Sequence, residues 1–194
     1  ASIFVLFFIR PVSYFFTYFF LLFGISANQV SIFSAMFGIS SSFIFLFFDY
    51  EYYFAGAILI IVCSILDASD GTIARYKKTS SSHGEYVDAV AMYISVAFIY
   101  LSIGYAVDNN IQTVEIFFRE INFSLLSSVT AIFDILMRLF HNRYVVGGFE
   151  SVFKDIKYEE KKFFSLRRLS KELTITGFYG PIVLVAVVMN MLQW

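Results

Sequence analysis

Apolar residues run through this chain in long blocks separated by short polar clusters, not in the alternation of a half-exposed helix or strand. A helix rises 1.5 Å per residue and a bilayer core is about 30 Å thick, so roughly 20 apolar residues mark a crossing. That ruler predicts spans at Asn28 to Phe48, Tyr53 to Arg75, Gly84 to Val107, Ile121 to Arg143, and Glu172 to Trp194. Ahead of them, Ile3 to Phe23 is apolar but interrupted by Arg10-Pro11. A proline within a run removes a helical hydrogen bond, so a helix is expected to restart at Pro11 and lie in the interface, with a half-span as the alternative. The expected fold class is an all-α integral membrane protein. It has about five to six transmembrane helices plus an N-terminal juxtamembrane helix over residues 1–25, in a single domain of residues 1–194.

Composition excludes a soluble globule. The 194 residues are 59% hydrophobic, 21% aromatic and 15% charged, against about 45–50% apolar and about 25% charged in soluble domains. Twenty-six Phe and 13 Tyr exceed what so short a chain can hide, so much of that surface must face lipid. A net charge of −1 gives no reason to expect a nucleic-acid partner. Cys63 is the lone cysteine, which rules out an intrachain disulfide framework and a cysteine cluster for zinc. The distribution of charge adds orientation. Arg75, Lys77 and Lys78 follow the second span, and Arg138, Arg143 and seven Lys and Arg between 154 and 171 gather around the connection between the fourth and fifth. Arg119 falls on the opposite side with Asp49, Glu51, Asp108, Glu115 and Glu120. The positive-inside rule then puts the 76–83 loop and the basic 144–171 connection in the cytoplasm, the latter either solvated or lying on anionic headgroups. No repeat, low-complexity tract or cleavable signal is evident, and with Ala at position 1 the chain is expected to start after the gene start.

The candidate chemistry lies in residues 65–93, ILDASDGTIARYKKTSSSHGEYVDAVAMY. Charges within a span are costly and mark function by default. At 100° per residue Asp67, Asp70, Gly71 and Ala74 share one stripe of a helix, with Arg75 at its edge. Gly84 and Asp88 share a face of the next helix, which sets a third carboxylate opposite the first two. Such an oxygen-rich set suits a hard divalent cation, and the lack of a His/Cys cluster argues against zinc. Gly71, Ala74 and Gly84 lack bulk where a nucleotide would approach the backbone, although small residues also serve simply to pack membrane helices. Arg75 can fork onto phosphate or carboxylate.

These residues resemble the signature of the CDP-alcohol phosphotransferases (CDP-alcohol phosphatidyltransferases), D-x-x-D-G-x-x-A-R, eight residues, then G-x-x-x-D-x-x-x-D. Asp67, Asp70, Gly71, Ala74, Arg75, Gly84 and Asp88 match in identity and spacing, seven of the eight fixed positions. The family's Pro-Asn-x-Val/Ile-Thr/Ser opening is echoed by Ala27-Asn28-Gln29-Val30-Ser31, without the Pro. The resemblance implies a juxtamembrane helix plus six spans, a homodimer, and a signature facing the cytosol, in a bacterial or archaeal inner membrane. It implies metal-dependent transfer of a phospho-alcohol from a CDP-alcohol donor to a lipid or small-molecule acceptor with release of CMP, in phospholipid or glycoconjugate synthesis. Asp67, Asp70 and Asp88 would hold Mg²⁺ or Mn²⁺, and Asp67, Asp70, Gly71, Ala74, Arg75 and Gly84 would bind the nucleotide.

Two departures stand out. Met92 occupies the position of the Asp that the family is assigned as general base, and a thioether takes no proton. His83 and Glu85 are weak substitutes for that base, and Asp88 is the expected catalytic carboxylate. An acceptor that is already an anion would need no base. A catalytically impaired nucleotide- and metal-binding pseudoenzyme is the rival reading, and a cation transporter a third. The span count also falls one short, so either the last helix is absent from this chain or the N-terminal segment compensates. In the fourth span Asp134 and Arg138 stand at i, i+4, where they most simply neutralise one another, with binding of acceptor phosphate by Arg138 as the alternative.

Overall fold

A computed structural model describes residues 4–79, 81–110, 115–116, 119–120, 122–146 and 180–189. The fold is all-α. The helices are α1 (Arg10–Leu22), α2 (Ala27–Phe47), α3 (Tyr53–Lys77), α4 (Ser82–Asn110), α5 (Phe123–Val146) and α6 (Gly180–Val188). A two-residue antiparallel ladder between β1 (Glu115–Ile116) and β2 (Arg119–Glu120) lies between α4 and α5. Among the described residues, four helical stretches are long and apolar enough to cross a membrane: Val5–Leu22, Ala27–Phe47, Tyr50–Lys77 and Gly84–Asn109. The protein is an integral membrane protein, and large apolar side chains such as Phe15, Phe47 and Phe133 cover its outer surface.

The N-terminal α-helix starts where the sequence places its restart, at Arg10-Pro11, with helical residues ahead of it. Val5–Ile9 forms a π-helical turn that runs directly into α1, with Pro11 in the first turn of α1. The wider turn lets the helix continue past a residue that has no N–H to give, so Val5–Leu22 becomes one rod of spanning length. The fourth predicted span appears as α5, a helix of 24 residues with Asp134 and Arg138 along it. Of the fifth, only α6 and Met189 fall within the described residues, as does almost none of the 144–171 connection.

Small residues let α2 sit at the centre, against both α3 and α4. On the α3 side Ser34 Oγ donates to the Cys63 carbonyl at 3.0 Å and Ser41 Oγ to the Gly56 carbonyl at 2.8 Å. On the α4 side Gly38 is required outright, because a Cβ there would lie 2.8 Å from the Cβ of Ser95. The corner from α1 to α2 turns at Gly24, whose φ of 71° lies in the left-handed region. Ser26 then caps α2 through a reciprocal box with Gln29. Lys77, at the end of α3, donates to the Ile25 carbonyl at 2.9 Å and so pins that end of α3 beside the start of α2. At the far end of the bundle Asp108 of α4 accepts the Phe123 and Ser124 backbone N–H groups at 2.7 and 2.8 Å, which fixes where α5 begins. The main core joins Phe45, Ala57, Ile60, Val96, Ile99 and Val183, and α6 is further held by Tyr50, whose hydroxyl donates to the Val187 carbonyl.

Candidate functional site

Each element that carries a signature residue ends in a local stop, and those stops set the site's depth. Helix α3 terminates where Lys78 takes φ 53° and the Thr79 N–H returns to the Ala74 carbonyl at 3.0 Å. Helix α4 restarts after Ser81, whose hydroxyl accepts the Gly84 N–H at 3.1 Å. The chain therefore reverses within a few residues, and α3 and α4 run antiparallel with Asp70 and Asp88 at similar depth. At 1.5 Å per residue Asp67 lies about 15 Å from the end of α3 and Asp88 about 9 Å from the start of α4.

There the three carboxylates meet. One oxygen from each of Asp67, Asp70 and Asp88 lies within 4.8 Å of the others. Asp70 is buried, while Asp67 and Asp88 are half-buried. Asp70 is tied on both oxygens: Ser31 Oγ donates to Oδ2 at 2.5 Å, and the Gly71 N–H donates to Oδ1. Sequence reasoning assigned Ser31 no role. Its signal lay in the Asn28-Gln29-Val30-Ser31 opening, but only the packing of α2 on α3 shows that this hydroxyl reaches a carboxylate 39 residues away. Three acidic groups converging in a low-dielectric setting repel strongly, and all of their donors are hard oxygens. A divalent cation answers both facts, so these residues fit one.

Beside the carboxylates lies an open wall. Gly71 faces the guanidinium of Arg75, which would sit 3.5 Å from a Cβ placed there. Arg75 is exposed and donates only to Thr72 Oγ1 at 3.3 Å among the described residues, so most of its donors are free for a ligand. Gly84 faces Asn28 across the start of α2, and a Cβ on Gly84 would stand 3.2 Å from the amide oxygen of Asn28. Ala74 lies half-buried between them on α3. Glu85 is exposed in the first turn of α4, seven residues before Met92, and does not join the carboxylate cluster. The His83 side chain lies outside the described residues.

On the other side of the cluster stands α5. Asp134 and Arg138 pair as their spacing predicts, Nε to Oδ2 at 2.8 Å. The guanidinium also reaches across to α4 and sets Nη1 2.7 Å from the sulphur of Met92. Intrahelical neutralisation is thus only part of what Arg138 does, since it reaches from α5 to α4 at the very position where the signature departs.

Comparison with known proteins gives one family. The family model described as CDP-alcohol phosphatidyltransferase matches residues 24–140. That stretch runs from the α1–α2 corner through all three carboxylates to Arg138. No curated protein and no solved structure matches the chain.

Proposed function

The chain belongs to the CDP-alcohol phosphatidyltransferase family of membrane transferases, and from that premise we propose that it moves a phospho-alcohol from a CDP-alcohol to an acceptor and releases CMP. The observation that carries this reading is the convergence of Asp67, Asp70 and Asp88 to within 4.8 Å beside a wall of small residues. The family is generally dependent on divalent cations, and these three carboxylates would hold Mg²⁺ or Mn²⁺. When bound, the cation would offset the negative charge of the pyrophosphate and of the departing CMP. Gly71, Ala74 and Gly84 would leave room for the nucleotide against the helix backbones, and Arg75 would take a phosphate oxygen. The donor is read as sitting at the ends of α3 and α4 that face the cytosol, in a homodimer.

The reaction balances simply. An acceptor oxygen forms a bond to the phosphorus that bears the alcohol, the bridging P–O bond to CMP breaks, and its electron pair leaves on CMP. A hydroxyl acceptor must also lose a proton. Met92 offers nothing to take it, and Glu85 stands about 10 Å further along α4 at 1.5 Å per residue. An acceptor whose attacking oxygen is already anionic, such as a phosphate or a carboxylate, removes that requirement. Met92 also favours a second reading, a pseudoenzyme that binds nucleotide and metal without turnover. Purified protein incubated with Mg²⁺ or Mn²⁺, a panel of CDP-alcohols and polar-lipid extract decides between them: CMP release that disappears in Asp67→Ala supports the transferase, and nucleotide binding without CMP release supports the pseudoenzyme.

A further inference from the structure

The contact between Met92 and Arg138 bears on which acceptor the site takes. A guanidinium has five N–H donors and no acceptor. Arg138 spends Nε on Asp134, and its Nη1 meets only a thioether, among the weakest acceptors a side chain offers. No oxygen of the described residues takes the Nη edge. Both members of the Asp134–Arg138 pair keep 19% of their side-chain surface exposed, so the pair is not sealed off from its surroundings. A cation held within a span with one edge unsatisfied is costly, and an oxyanion is its natural partner. An Asp at position 92 would occupy that partner's place and close the edge with a permanent ion pair. Met92 fills the same space against the core around Val96 and Ile99 without supplying a charge.

We propose that Met92 determines acceptor class: by presenting sulphur rather than a carboxylate to Arg138 it leaves the guanidinium edge for an oxyanion of the acceptor, with Asp134 as the positioning residue. The inference rests on the transferase reading and deepens it. Met92 lies about one helical turn from Asp88 on α4, so an oxyanion held by Arg138 beside Met92 lies alongside the carboxylate cluster. A phosphate or carboxylate has more than one oxygen, so one is held by Arg138 while another attacks. The new O–P bond forms, the P–O bond to CMP breaks with its electrons leaving on CMP, and no proton has to be removed. The loss of the base and the exposure of the arginine edge then follow from one substitution.

The test pairs acceptors by chemistry: phosphatidate against diacylglycerol, and glycerol 3-phosphate against glycerol, so that one pair reports a lipid source and the other a soluble one. Full-length protein should prefer the anionic member of one pair. Met92→Asp should raise the KM for that acceptor about 10- to 100-fold, the loss of one charge-assisted contact, with less effect on the KM for the CDP-alcohol. Met92→Leu, similar in volume and equally uncharged, should keep the preference, whereas Arg138→Gln should lose it and Arg138→Lys should recover part. Unchanged acceptor KM in Met92→Asp, or an equal loss in Met92→Leu, overturns the proposal. So does wild-type CMP release that favours the neutral alcohols, a result that leaves the transferase reading standing. Should no acceptor release CMP, the transferase reading fails, and inorganic phosphate titrated onto the Mg²⁺-loaded protein decides the inference. Binding by wild type and Met92→Leu that is lost in Met92→Asp and Arg138→Gln upholds the oxyanion site, and equal binding by all four overturns it.

Discussion

Ser31 shows how much a single hydroxyl can govern here. Asp70 has one oxygen on Ser31 and the other on the Gly71 N–H, so its carboxylate plane is fixed before any ligand arrives. Groups that orient a metal ligand are commonly worth about 10- to 100-fold in metal affinity. Ser31→Ala should therefore weaken Mn²⁺ binding by about that factor, read by titration with Mn²⁺ followed by electron paramagnetic resonance, while Ser31→Thr keeps it. A purely packing role for Ser31 predicts no difference between the two variants in metal affinity. At this scale the sequence is informative about which residues matter and less so about what they touch. The spacing of Asp67, Asp70 and Asp88 puts carboxylates on facing stripes, because helical periodicity is a local rule. The Ser31–Asp70 and Arg138–Met92 contacts join residues 39 and 46 positions apart and depend on which helices lie side by side. No local rule reaches that far.

Among the elements, α5 is held at one end by a charge on its neighbour. The first N–H groups of a helix have no intrahelical partner, and Asp108 of α4 accepts two of them together with the hydroxyl of Ser124. This bond sets the register of α5 against α4, and it is the register that brings Arg138 to the level of Met92 some four turns later. Replacing an N-terminal cap of this kind costs about 0.5–2 kcal/mol. Asp108→Ala should lower stability by about that amount in a detergent melt and raise the acceptor KM more than the donor KM, because the donor wall on α3 and α4 is untouched. Asp108→Asn retains an acceptor oxygen and should recover most of the loss. Helix existence was legible along the chain for α2, α3, α4 and α5, since each is a long apolar block with polar ends. Pro11 marks the start of α1 in the sequence, and only the structure shows the π-helical turn at Val5–Ile9 that joins the preceding residues to the same rod.

For the molecule as a whole, the unequal division of charge and the depth of the carboxylates combine into a statement about sidedness. The Asp cluster lies near the ends of α3 and α4 that the loop through Lys77, Lys78 and Thr79 connects, whereas Asp108 and the start of α5 lie at the opposite end. Soluble CDP-alcohols and CMP are charged and do not cross a bilayer, so the mouth must open to the compartment that supplies them. If the basic 76–83 loop obeys the positive-inside rule, that compartment is the cytosol. The chain makes the experiment clean, since Cys63, its one cysteine, is buried between α2 and α3 and can be removed as Cys63→Ser. On that background Thr79→Cys should react with a membrane-impermeant maleimide in inverted vesicles and stay protected in right-side-out ones. Asn109→Cys, at the other end of α4, should show the reverse pattern. Labelling of Thr79→Cys from the outside would place the carboxylates on the face away from the nucleotide supply, and the transferase would then need a donor made outside the cell.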